Sequence, residues 1–397
     1  MWKNSLVNLR QIRFALTLLL ICIGCVDPYS PVLNIDEINA LVIDGHIDSN
    51  GTATVKLSRA IPLASFAEAP PENGATVTIS SSSGETFTLA EEEDATYVAN
   101  NLDVDNKTKY VLHVRLSSGS EYESDEVLIH PTPTVGKIYL TYASSNDNIE
   151  IRTDSRDEST DGTGFYLWDC VETYEYRAQL FSKWKRENGI PLQRHKGEYV
   201  DTCWHTIPVP TSIYTTSRLS ENTISGHLLT SISKFSKKVS MRYSLLVRQR
   251  AISEQEFTYR NLLDKTVNGQ SSIFAEIPGA VLGNVHSLNN PAETVLGYFR
   301  GQQITEKRVF IDHASLPLAY QADPPPEACD VEGTCPTNVP VNGPSTCIEI
   351  QLLSETNIIL TTVEEKNSVV YYFAKKECGD CRTKGGTTEK PLFWRDP

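Results

Sequence analysis

The chain has 397 residues, 50 acidic and 36 basic side chains and a formal net charge of −14, with 40% hydrophobic and 22% charged residues. This composition excludes a disordered chain, and the length exceeds the roughly 250–300 residues that one hydrophobic core organises, so two or more domains are expected. The acidic balance lacks the basic footprint that phosphate backbones or anionic lipid surfaces require, which sets nucleic-acid partners aside. Aromatic residues make up 9%, with 17 Tyr and 5 Trp, and aromatics favour strand-rich packing.

Lys3, Arg10 and Arg13 precede an uncharged apolar run, Phe14 to Gly24. That run is too short to span a bilayer, which takes about 20 residues. A basic stretch, a short apolar run and small residues at its end make a secretory signal peptide, here residues 1–24. The end, Ile23-Gly24-Cys25, resembles the bacterial lipobox, with Cys22 where that pattern usually has Leu. The resemblance implies cleavage before Cys25, a diacylglycerol on its sulfur, further acylation such as palmitate, and attachment to a membrane. Each buried CH₂ would contribute about 0.8 kcal/mol to that attachment.

Residues 25–35 read as a tether. From 36 to 131, short alternating segments recur: Ala40–Ile47, Thr52–Leu57, Gly74–Ser80, Thr86–Leu89, Ala95–Val98, Lys109–Leu116 and Glu121–Ser124. Turn residues such as Ser83-Gly84 and Ser117-Ser118-Gly119 separate them, which is the pattern of an immunoglobulin-like β-sandwich. Pro131-Thr132-Pro133 closes the unit, since proline cannot continue a central strand.

Residues 135–321 read as a larger β-rich domain with one or two helices. Strands are expected at Lys137–Tyr142, Asn148–Thr153, Gly164–Val171, Met241–Gln249, Val295–Phe299 and Arg308–Ile311. Ser253-x-x-Glu256 is a capping box, followed by Phe257, Arg260, Leu263 and Val267 at helical spacing and by Asn268-Gly269 as a stop. Trp168, Tyr174, Tyr176, Trp184 and Tyr199 crowd the start of this unit. Alternation places most of them in the core, with an exposed binding platform as the other reading. Asp323-Pro324-Pro325-Pro326 opens a cysteine-rich C-terminal segment, residues 322–397, in which Ile348–Leu353 and Ser368–Phe373 are candidate paired strands.

Several segments occur in an order that is specific although each is weak alone. They are Leu41-Val42-Ile43-Asp44-Gly45, Gly74-Ala75-x-Val77-x-Ile79, Thr202-Cys203-Trp204, Ser271 to Pro278, Gly283-Asn284-Val285, Gly297-Tyr298-Phe299 and the terminal Cys378-Gly-Asp-Cys381…Gly385-Gly386…Lys390-Pro-Leu-Phe-Trp394. With the lipobox before them, they resemble domain-of-unknown-function family 4249 over essentially the whole mature chain. The resemblance implies a lipoprotein of Bacteroidota-type bacteria at the outer membrane, often encoded beside a TonB-dependent receptor. It carries over no catalytic residue and no ligand. The first unit also resembles the carboxypeptidase-regulatory-like sandwich of such receptors. Surface-exported lipoproteins of that phylum carry an acidic cluster after the anchor. Here only Asp27 follows closely, so the face of the membrane stays open.

No nucleophile elbow, zinc-binding His-Glu-x-x-His, phosphate loop or dinucleotide fingerprint is present, and His46, 113, 130, 195, 205, 227, 286 and 313 are scattered. No cofactor and no metal site is expected, and the acidic loops Asp103–Lys107 and Asp154–Gly162 lack ordered calcium-ligand spacing. The expected function is a non-catalytic accessory or binding subunit of a TonB-dependent nutrient-uptake system. A surface hydrolase and a structural envelope protein are the alternatives.

Besides Cys25, the cleaved chain would hold Cys170, Cys203, Cys329, Cys335, Cys347, Cys378 and Cys381. Their number is odd, so one thiol stays unpaired. An exported chain favours disulfides over a zinc site or a redox pair for Cys378-x-x-Cys381. Cys170–Cys203 and Cys378–Cys381 are the expected bridges, with a third between two of Cys329, Cys335 and Cys347.

Overall fold

The computed structural model describes residues 39–61, 67–143, 145–156, 164–187, 190–216, 222–267, 281–336, 356–365 and 368–395. Cys25, the expected site of the lipid, the expected tether, Ser271–Pro278, the expected helix stop Asn268-Gly269 and the candidate strand 348–353 lie outside them. Eight strands form early in the chain: β1 (Leu41–Asp48), β2 (Thr52–Arg59), β3 (Thr76–Ser81), β4 (Thr86–Glu91), β5 (Thr96–Ala99), β6 (Lys109–Arg115), β7 (Glu121–Ser124) and β8 (Val127–Leu128). They follow the alternation in the sequence. In β6, for instance, Tyr110, Leu112 and Val114 are buried while Lys109 and Arg115 are exposed.

The next segment supplies β9 (Ile138–Ala143), β10 (Asn148–Arg156), β11 (Phe165–Arg177), β12 (Trp184–Glu187), β13 (Ile190–Gln193), β14 (Thr202–Thr215), β15 (Thr223–Ser233) and β16 (Arg242–Ala251). Helix α1 (Glu254–Val267) follows, then β17 (Val285–Ser287), β18 (Val295–Gln302) and β19 (Thr305–Asp312). The sheet β14-β11-β16-β19 and the sheet β15-β10-β9 share one core. Ile149, Ile151, Ile224 and Ile232 of the smaller sheet meet Trp168, Tyr174, Tyr176, Tyr243 and Leu245 of the larger. The architecture is mainly β, built of sandwich-like layers, with one long helix among the described residues.

The division at residue 131 does not separate two sheets. The first sheet runs β17-β7-β6-β3-β4-β5-β2-β1-β18, so two strands from the second segment flank the first. β18 lies parallel to β1, with Gly297 opposite Ile43. Side-chain-free backbone makes this approach possible. Gly297 has φ +96°, and a Cβ there would stand 2.1 Å from the Ile43 carbonyl oxygen; one on Gly283 would stand 1.6 Å from the Gly297 carbonyl oxygen. Buried Asn284 then bonds both backbone groups of Phe299, at 2.8 Å each. The Gly-Asn-Val and Gly-Tyr-Phe segments therefore join the two units.

Helix α1 is held at the same junction. Ser253 Oγ accepts the Glu256 N–H at 3.0 Å, as the capping box predicts. Glu256 is buried and accepts from Arg260 at 2.8 Å. Arg250, 3% exposed, donates to Gln302 at 3.0 Å and to Asp169 at 3.3 Å, with Glu256 3.7 Å away. A buried guanidinium is tolerable only with such partners, and here they come from β18 of the first sheet, from β11 of the second sandwich and from α1.

The C-terminal segment adds β20 (Glu332–Pro336), β21 (Asn357–Glu365), β22 (Ser368–Lys375) and the single turn α2 (Lys376–Gly379). Its sheet runs β20-β22-β21. The strand expected at 368–373 thus forms, and β21 is its hairpin partner. The last residues return to the second sandwich. Thr387 and Trp204 exchange backbone hydrogen bonds of 2.8 and 2.9 Å, and Trp394 packs edge-on to Trp204 and Phe310.

Candidate functional site

The disulfides differ from both expected pairs. Cys203 bridges Cys381, and Cys329 bridges Cys378. Cys170 is a buried free thiol, and burial pushes its pKa up to about 12. The sheet register explains the first correction. β14 sets Cys203 opposite Tyr176, six residues along β11 from Cys170. At about 3.3 Å per residue that is roughly 20 Å, beyond any disulfide's reach. The second correction follows from packing. Cys378 lies in the small core with Val200, Ile358 and Leu360, whereas Cys381 lies in the large aromatic core. The two neighbours in sequence thus face different partners. The side chains of Cys335 and Cys347 are outside the described residues.

These two bridges fasten a short corner, Lys376 to Arg382, onto the second sandwich. Backbone bonds reinforce it. Leu180 N–H donates to the Cys378 carbonyl at 2.8 Å, and Cys381 N–H donates to the Val200 carbonyl at 2.8 Å. The Tyr176 hydroxyl donates to the Cys381 carbonyl at 2.6 Å. Gly386 lets the returning chain pass close by: a Cβ there would stand 2.6 Å from the Tyr176 hydroxyl.

Beside the corner opens a cleft of about 410 Å³, lined by Trp184, Lys185 and Arg186 of β12, Arg194 after β13, Asn357, Ile358 and Ile359 of β21, and Lys376, Asp380 and Arg382 of the corner. Five cations and one carboxylate face it, on a chain whose net charge is −14. Two of the cations are compensated. Lys185 pairs with Glu198 and Glu187. Arg382 grips Asp380 through its Nε at 2.8 Å and its Nη2 at 2.7 Å. Burial pushes the Asp380 pKa up, but the Arg382 bonds and charge outweigh it and hold the carboxyl below its ordinary range.

The other three, Arg186, Arg194 and Lys376, have no salt-bridge partner among the described residues. Arg194 donates from Nη1 to the Glu198 carbonyl at 3.0 Å, while its buried Nε has no acceptor among the described residues. Burial, then the charge of nearby Arg382, lowers its pKa from the usual guanidinium value. An arrangement of this kind can hold an oxyanion by charge-assisted hydrogen bonds.

The other residues singled out in the sequence lie elsewhere. Trp168, Tyr174 and Tyr176 are buried in the core, Trp184 is half-buried at the cleft and Tyr199 is exposed. His227 stacks on Trp168 and His205 contacts the Tyr174 hydroxyl. Asp105 turns its oxygens on its own loop, accepting from Lys107 N, Thr108 N and Thr108 Oγ1. Asp154 accepts from Tyr139 and from Gly226 N–H. Among the described residues no group of three His, Cys, Asp or Glu side chains could hold a metal ion. The cleft cations were not singled out by sequence pattern, because they come from three separate elements.

Residues 26–308 match the family described as "Domain of unknown function (DUF4249)". The match stops short of the stapled corner and the terminal aromatic segment. No curated protein matches the chain. Among solved structures, the chain is similar to a two fibronectin type-III domain segment from chicken tenascin, at 10% identity over 53% of this chain and 90% of that one, with a TM-score of 0.15. It is also similar to the FN1-FN3 domains of chicken CNTN1, at 13% identity over 53% of this chain and 59% of that one, with a TM-score of 0.19. At such scores neither likeness carries an argument.

Proposed function

Since the chain belongs to the family of unknown function DUF4249, we propose that it is an outer-membrane-anchored lipoprotein acting as a non-catalytic accessory or binding subunit of a TonB-dependent nutrient-uptake system. The observation that carries this reading is Gly24-Cys25 at the end of an apolar run too short to span a bilayer. No described helix is long and apolar enough to cross a membrane. Attachment in this reading is by acyl chains at Cys25. The binding role is supported by the cleft, whose lining is rich in charge-assisted donors.

Metabolic labelling with a palmitate analogue tests the anchor. The wild-type chain takes up label and sediments with membranes, whereas Cys25→Ala takes up none and is not retained by them. Label persisting on Cys25→Ala would remove the basis of the proposal.

A further inference from the structure

We propose that the cleft between β12, β13 and the disulfide-fastened corner binds the phosphate group of a ligand. The inference concerns the ligand's chemistry and does not depend on which membrane protein the chain accompanies. Its size falls within the roughly 300–1,000 Å³ of small-ligand sites. Its charge is the decisive feature. Arg186, Arg194 and Lys376 converge from separate elements with no carboxylate at salt-bridge distance among the described residues, although acids outnumber bases in the chain; Asp380, already gripped by Arg382, acts on Arg194 and Lys376 only from farther away. Like charges held together cost energy unless an anion sits between them.

Phosphate fits better than a single carboxylate. One guanidinium saturates a planar carboxylate by a two-bond fork, whereas a tetrahedral dianion accepts donors from several sides at once. Three unpaired cations around one opening match the second geometry. The corner is also fixed in advance. Cys378 and Cys381 are each bridged to a different element, and Arg382 is locked on Asp380. Preorganised donors bind with less loss of side-chain freedom. Trp184 and Ile359 line the same opening and provide an apolar wall for the part of the ligand that carries the phosphate.

The test is calorimetric titration of the full acylated chain in detergent with inorganic phosphate, with citrate as the carboxylate comparison. The wild-type chain binds phosphate saturably, more tightly than citrate, and more weakly as salt rises. Arg194→Gln weakens phosphate binding about tenfold or more, the scale of one lost charge-assisted bond. Lys376→Glu does the same. Lys376 is exposed, so this variant keeps the fold, checked by circular dichroism, and stands in if Arg194→Gln does not. Lys56→Gln, an exposed change on β2, leaves binding unchanged. Vesicles containing phosphatidic acid distinguish the source. Binding that Lys376→Glu abolishes places the phosphate on a lipid, and binding of free phosphate alone places it on a soluble ligand. The proposal is overturned if the wild-type chain does not bind phosphate saturably, if citrate binds and phosphate does not, or if a folded Lys376→Glu binds phosphate as wild type does.

Discussion

His227 shows how one half-buried side chain couples this fold to pH. Its ring stacks on Trp168 with centroids 4.3 Å apart, and Nε2 lies 3.0 Å from Ser212 Oγ. Burial lowers its pKa to about 4, with a smaller contribution from Arg152. His46 is lowered to about 4 as well, by burial first and the Arg300 charge second. In the unfolded chain both titrate near 6.5. Between about pH 6.5 and 4 the unfolded state therefore binds more protons, and stability falls as pH falls through that window. Urea midpoints should be nearly flat from pH 8 to 7 and drop between pH 6.5 and 4. His227→Gln should make that drop shallower. An unchanged slope in the variant would show that His227 is not held neutral in the core. None of this was legible in a sequence where the histidines are scattered. Burial of each depends on strands that arrive from far along the chain.

At the scale of elements, the early strands and α1 follow directly from local pattern, because alternation and a capping box act over a few residues. The partners of those elements do not. β18 fits beside β1 because Gly297 carries no Cβ, and Gly283 lets Asn284 come close enough to bond both backbone groups of Phe299 on β18. A glycine in a sequence does not say which strand it approaches. The β12–β13 hairpin had a readable signal in Asn188-Gly189 between two short extended segments, and that dipeptide is the strongest short-range hairpin mark. The cysteines failed differently. Proximity in sequence suggested Cys378–Cys381, but long-range packing turns the two into different cores, and long-range sheet register keeps Cys170 from Cys203. Peptide mapping of the non-reduced protein should yield Cys203–Cys381 and Cys329–Cys378 linkages, with Cys170 alkylated only after unfolding. A Cys170–Cys203 linkage would contradict the register. Cys203→Ser should cost about 5 kcal/mol in the chain-entropy model, since the bridge closes a sequence separation of 178. Chemical denaturation measures that loss.

For the molecule as a whole, the mainly β class and the family were legible from alternation and from an ordered set of short segments. The boundary at residue 131 was not, because two strands cross it. That crossing bears on how the function is tested. Deleting residues 36–131 would take away β1 and β7, the partners of β18 and β17, so the two units are studied together in the intact chain. It also gives the Gly-Asn-Val and Gly-Tyr-Phe segments an internal role, as the join between the early strands and β18. If the chain, held by acyl groups at Cys25, serves a transporter, that transporter accompanies the intact protein. The direct measurement is affinity purification of the tagged full chain from detergent-solubilised membranes, followed by mass spectrometry of the stoichiometric partners. A TonB-dependent receptor that co-purifies with wild type, and is lost with Cys25→Ala, is the expected result; a chain that elutes with no receptor would contradict the account.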